Sequence, residues 1–214
     1  MGPFNSADRT STSWIILALL SCASTDASEG TTSPVFESLN PLNGEWVQPC
    51  SSRFQRTETI EGNKVRLTEN SFLDEFCAQE QTLLVTSGQI SLGEPVQSPP
   101  GAAKIDFTFE TVEVTLMTPE TIRYSNEHSV CGFSDWRIAH AKNVTGLRCD
   151  LFGTGYPVAI PTAGEKLFGI YQVQASSPDG ERSLFFGKLT PAENSKTEAT
   201  RPTQLDPRFY RKIR

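Results

Sequence analysis

Short segments of alternating hydrophobic and polar residues dominate the chain between Asn43 and Leu189. Gly, Pro, Asn and Ser residues separate these segments, and few of them have the spacing of an amphipathic helix. Alternation with a period of two places hydrophobic side chains on one face of a β-strand, and many short strands joined by turns are typical of antiparallel barrels and sandwiches. The pattern predicts an all-β domain over residues 40–190, an antiparallel meander closing into a barrel of about eight strands, with a β-sandwich as the alternative.

The clearest predicted strand runs from Lys104 to Thr118 and changes phase near its middle. Hydrophobic residues occupy the odd positions up to Phe109 and the even positions from Val112 onwards. No turn residue lies at the change, which falls on Glu110-Thr111. We therefore predict a β-bulge or a sharp bend within one long strand.

Turn-forming residues predict three tight connections. Ser87-Gly88 predicts a hairpin within residues 82–92, and Glu61-Gly62-Asn63 predicts a second turn. Ser177-Pro178-Asp179-Gly180 predicts a third turn between two C-terminal strands, residues 166–176 and 182–189.

One segment has the pattern of a helix. Thr118 precedes a proline and an acidic residue, which is the usual start of a helix, so we predict a short helix or lid over residues 118–127. The segment that follows, "CGFSDWRIAHAK" at residues 131–142, is predicted to return to a strand.

The N-terminal segment has the pattern of an export signal. Residues 14–20, WIILALL, form an uncharged apolar run of seven, far shorter than the about 20 residues that cross a bilayer as a helix. The run ends in Leu19-Leu20-Ser21-Cys22, which resembles the lipobox of bacterial lipoproteins. This resemblance implies cleavage after Ser21 and a lipid on Cys22, with residues 1–21 as signal peptide and 22–39 as a flexible tether. A secretory signal without lipid, or a disordered apolar start, is the alternative.

Composition and charge narrow the function classes. The 214-residue chain has a net charge of -6, which argues against nucleic acid as its main partner. It contains two histidines and no G-x-S-x-G motif, and no pair of carboxylates stands out, so we expect no catalysis and no cofactor. Residues 191–214 are predicted to form a polar linker and a basic strand or tail.

The cysteines predict two disulfide bonds. With Cys22 assigned to lipid, four cysteines remain, and an exported chain most simply pairs them. Three pairings are possible. We favour Cys50 with Cys77 and Cys131 with Cys149, because each bond closes a modest loop between segments that are predicted to be adjacent strands.

A metal site is the alternative use of these cysteines. His128 and His140 lie near Cys131 in the sequence, but the tight CxxC pairs that usually bind zinc are absent. We therefore expect no metal.

The start of the first predicted strand, Gly44-Glu45-Trp46, resembles the GxW motif of lipocalins and related calycin barrels. This resemblance implies an eight-stranded barrel in which Trp46 packs across the floor under a late arginine, for which Arg201 and Arg211 are candidates. The segments LNGEWVQPC, VCGFSDW and RPTQLD also make the chain similar to small, mostly uncharacterised proteobacterial lipoproteins. That similarity implies lipid anchoring in the cell envelope. Asp26, four residues after Cys22, is not at the position where an acidic residue favours retention in the inner membrane, so the resemblance implies the outer membrane.

Two functions are compatible with such a barrel. The first is a membrane-anchored binding module for a small apolar or amphipathic ligand, with Phe107, Phe109, Trp136 and Tyr171 as candidate lining residues. The alternative is a structural or protein-interaction lipoprotein with a filled core and no small ligand.

Overall fold

The computed structural model describes residues 40–151, 153, 155–175 and 181–213. The predicted signal peptide and tether, with Cys22, lie outside the described residues, as does the turn predicted at residues 177–180. None of the helices in the described ranges has the length and hydrophobicity needed to cross a membrane.

The described residues form eleven β-strands, one α-helix and two short 3-10 turns. The strands are β1 (Gly44–Ser51), β2 (Phe54–Glu61), β3 (Lys64–Phe72), β4 (Glu80–Pro95), β5 (Ala103–Leu116), β6 (Lys142–Asn143), β7 (Arg148–Cys149), β8 (Val158–Ala159), β9 (Lys166–Ala175), β10 (Arg182–Gly187) and β11 (Leu205–Lys212). The helix is α1 (Pro119–Glu127), and the 3-10 turns are Val130–Gly132 and Glu198–Thr200.

Eight of the strands close into an antiparallel barrel. The order around the barrel is β1, β2, β3, β4, β5, β9, β10 and β11, and β11 pairs again with β1. This arrangement confirms the predicted all-β barrel and excludes the sandwich. The barrel extends beyond residue 190, the predicted domain boundary, because β11 supplies its last strand and leaves no open edge between β10 and β1.

The long strand β5 contains the predicted bulge. Ser87 of β4 pairs with Thr111 and Gly88 pairs with Phe109, so Glu110 is the extra residue on β5. The hairpin predicted at Ser87-Gly88 is wrong, because β4 continues through this position as one strand. Gly88 is needed there for space: a Cβ atom would lie 2.3 Å from the Thr108 carbonyl oxygen.

A long insertion, residues 117–165, connects β5 to β9. It begins with α1, as predicted, and the Thr118 hydroxyl accepts a hydrogen bond of 3.2 Å from the Thr121 amide at the helix start. The strand predicted at residues 131–142 is wrong except for Lys142, which begins β6. Trp136 instead packs in a hydrophobic cluster that the insertion forms with β5, here called the insertion cluster, and its indole donates a hydrogen bond to the Val130 carbonyl.

Two disulfide bonds join Cys50 to Cys77 and Cys131 to Cys149. These are the favoured pairings. The first ties the end of β1 to the connection between β3 and β4, and the second lies within the insertion. The first bond therefore lies at the barrel end where β1 and β3 finish, which is also where the insertion departs from β5.

Candidate ligand-binding cavity

The floor of the barrel is built around Trp46. This side chain is fully buried, and its indole Nε1 donates a hydrogen bond of 2.7 Å to the Leu42 carbonyl oxygen. Lys212 pairs with Trp46 across β1 and β11, and its ammonium group lies 5.4 Å from the centre of the indole ring. The basic residue that covers Trp46 is thus Lys212, and neither Arg201 nor Arg211 takes this position.

Above this floor the barrel encloses a cavity of about 560 Å³. Each of the eight barrel strands contributes lining residues, and so do the insertion and the connection between β10 and β11. The apolar part of the lining includes Ile60, Val65, Leu67, Ile90, Ile105, Phe107, Phe109, Val112 and Phe186. A cavity of this size and character is typical of sites that bind small molecules.

Charged side chains line another part of the same cavity. Arg56 on β2 pairs with Glu69 on β3 at 2.6 Å. Arg208 on β11 pairs with Asp206 through two contacts of 2.7 and 3.0 Å. Each of these four side chains occupies an alternate position on its strand, so the period of two that directs apolar residues to the cavity also directs these side chains to it. The Arg208 side chain lies at the edge of the cavity and is 64% exposed.

Glu58 is the remaining carboxyl group of the lining. It lies between Trp46 and Leu67 in the strand register. Burial is the largest cause and raises the pKa of Glu58 to about 8. The charge of Arg56 opposes this rise, the nearby carboxylate of Glu69 adds to it, and a hydrogen bond with the Tyr210 hydroxyl opposes it least. Burial also raises the pKa of Tyr210. Glu58 is therefore mostly neutral at pH 7 in the ligand-free protein.

Two of the four predicted lining residues line the cavity. Phe107 and Phe109 do so, with ring centres 4.6 Å apart in an edge-to-face arrangement. Trp136 packs in the insertion cluster instead. Tyr171 is half-buried against the residues of the barrel floor and is not among those that line the cavity.

Arg201 holds the connection between β10 and β11 against the barrel wall. Its guanidinium donates hydrogen bonds to the carbonyl oxygens of Gly169 and Ile105, and it pairs with Asp106 at 2.8 Å and with Glu198. Leu189, Ser195 and Pro202 of this connection line the cavity. Arg201 thus stabilises one wall of the site from outside the lining.

The two histidines have local contacts in the insertion. The Nδ1 atom of His128 lies 2.9 Å from the Tyr124 carbonyl oxygen, and that of His140 lies 2.7 Å from the Ile138 carbonyl oxygen. Asp135, in the same insertion, pairs with Lys142 at 2.7 Å. Within the described ranges, no three His, Cys, Asp or Glu side chains are grouped to hold a metal ion.

Comparison of the chain with protein-family models, and with curated proteins, finds no match. The class defined by the fold and the site is a closed eight-stranded β-barrel with an internal, partly polar cavity.

Proposed function

We propose that this protein is a binding module that holds one small amphipathic molecule inside its barrel. The observation that carries the proposal is the cavity of about 560 Å³, which has apolar walls and a group of charged side chains. An apolar lining favours the body of such a molecule, and a few polar groups orient its head. The resemblance of Gly44-Glu45-Trp46 to the lipocalin motif supports the same class of function.

The cavity also favours this proposal over a structural protein with a filled core. A filled barrel of about eight strands packs side chains throughout its interior. Here the rings of Phe107 and Phe109 border open space. The arginines of the lining pair with carboxylates, and the histidines contact backbone carbonyls in the insertion, an arrangement that supports binding rather than catalysis.

Blocking the cavity tests this proposal. Leu67 lines the cavity, whereas its neighbour Arg66 is exposed on the outside of β3. We expect Leu67→Trp to weaken binding of the fluorescent probe N-phenyl-1-naphthylamine at least about tenfold, because the larger side chain occupies the ligand volume. The matched variant Arg66→Trp should bind the probe as the wild type does. Equal binding by both variants, or no binding by the wild type, would contradict the proposal.

We also propose that the protein is exported and anchored through a lipid on Cys22 in the bacterial cell envelope, with the outer membrane favoured. The lipobox resemblance of residues 19–22 supports this, and two disulfide bonds are typical of an oxidising compartment. The variant Cys22→Ser should move from the membrane fraction to the soluble fraction of the cells. Unchanged membrane attachment would argue against lipid at this residue.

A further inference from the structure

The carboxyl groups that line the cavity outnumber its arginines by one. Three carboxyl-bearing side chains and two arginines line it. The ion pairs Arg56–Glu69 and Arg208–Asp206 use both arginines. Among the described residues no ion pair joins Glu58 to a basic side chain, so one carboxyl group is left over inside the barrel.

The position of Glu58 brings this carboxyl group to the apolar part of the cavity. In the strand register Glu58 lies beside Leu67, and the next inward position on β2 is Ile60, which lines the apolar part of the cavity. The charged or titratable groups that face it are Arg56 on the same strand, Glu69 on β3 and Tyr210 on β11. On β1, its neighbours Trp46 and Gln48 carry no charge. A ligand with one positive charge would form the ion pair that Glu58 does not form with any basic side chain of the described residues.

The aromatic lining favours the same kind of ligand. Phe107, Phe109 and Phe186 provide apolar surface for an alkyl or aromatic body, and the faces of aromatic rings attract organic cations. An anionic head group would instead have to share Arg56 with Glu69 or Arg208 with Asp206, and would add negative charge beside arginines that are already paired.

We propose that the cavity binds an amphipathic organic amine whose ammonium group pairs with the carboxylate of Glu58. This inference rests on the proposed function and specifies its ligand class. Binding moves a proton: Glu58 releases its proton to solvent, and the charged ammonium enters beside the resulting carboxylate, so the net charge of the pair is zero. The raised pKa of free Glu58, about 8, means that this proton is present on the free protein at neutral pH.

Three probes with the same alkyl chain test the inference: decylamine, decanol and decanoate, each titrated by calorimetry below its micelle concentration. We expect decylammonium to bind about tenfold or more tightly than decanol, and decanoate to bind least. Glu58→Gln should remove the advantage of decylammonium over decanol. Glu61→Gln makes the same change at an exposed position on the same strand and should leave the affinities unchanged.

The pH dependence gives a second readout. Below pH 8 the affinity for decylammonium should rise with pH, by up to about tenfold per unit, because Glu58 must lose its proton on binding, and it should level off above pH 8. Decanol should show no such trend. If decanol binds and decylammonium binds no more tightly, or if Glu58→Gln leaves the preference intact, the inference is wrong while the proposed function stands. If none of the probes binds, both fail.

Discussion

Glu58 lies inside the barrel beside Trp46 and Leu67, and this position determines the energetics of its carboxyl group. Removal from bulk water favours the neutral form, whereas the unfolded chain exposes the same group to solvent, where its pKa is near 4.5. The folded state therefore binds more protons than the unfolded state between these two pKa values. In that window, the free energy of unfolding of the ligand-free protein falls as the pH rises.

We predict that Glu58→Gln removes this dependence. Relative to the wild type, the variant should gain stability from pH 5 to pH 8, by up to about 1.4 kcal/mol per pH unit. Urea unfolding with the disulfides intact, carried out at both pH values, measures the difference. Glu61→Gln, at an exposed position, is the control and should follow the wild type. A constant difference between Glu58→Gln and wild type at all pH values would show that Glu58 is not buried as a neutral acid.

At the scale of elements, β4 and β5 are the longest strands, and they pack closely where both change register. Gly88 on β4 faces the ring of Phe107, which lies 2.8 Å from the place a Cβ atom would take, and the Thr108 carbonyl oxygen lies nearer still. The bulge at Glu110 and the absence of a side chain at Gly88 occur together in the same strand pair. This pair bends the sheet toward closure.

We predict that Gly88→Ala destabilises the protein by about 1–3 kcal/mol, because the added methyl group has no space and the two strands must move apart. Ser87→Ala, at the neighbouring position, should change the stability by less than about 0.5 kcal/mol. Urea unfolding monitored by tryptophan fluorescence measures both. Equal stability of the two variants would contradict the close packing of β4 on β5.

The same elements show what sequence patterns can and cannot predict. The phase change at Glu110-Thr111 predicts a bulge or a sharp bend, because one extra residue moves the apolar positions of a strand from odd to even numbers, and the structure has the bulge. Ser87-Gly88 has the composition of a turn, and the prediction failed because the glycine serves a close approach between strands instead. The need for this space arises from a partner strand about twenty residues away, which local sequence does not reveal.

The residues that line the cavity were likewise only partly predictable from local sequence patterns. Phe107 and Phe109 were predictable from the alternation on β5. The polar lining was missed, although Arg56, Glu58 and Ile60 alternate on β2 in a way that places all three on one face. The signal is present, but β2 is polar on both faces, and only barrel closure determines which face becomes the interior.

At the scale of the whole molecule, closure of the barrel and the contacts of Arg201 build the same cavity. The meander places all eight strands around one interior, and β11 closes the circle against β1. The insertion contributes Ile160 and Pro161 to the lining, and the connection held by Arg201 contributes Pro202. The cavity is therefore a property of the complete fold and is not formed by any one element.

The central claim, that an amphipathic molecule occupies this interior, is tested most directly by locating a bound probe. Decanol with a carbon-13-labelled chain can be mixed with the protein, and isotope-filtered nuclear Overhauser spectra then report which methyl groups it touches. We predict contacts with the methyl groups of Ile60, Ile90 and Ile105, which line the cavity, and none with the exposed Ile138 and Ile213. Contacts confined to the exposed isoleucines, or no contacts at saturating probe, would contradict the claim.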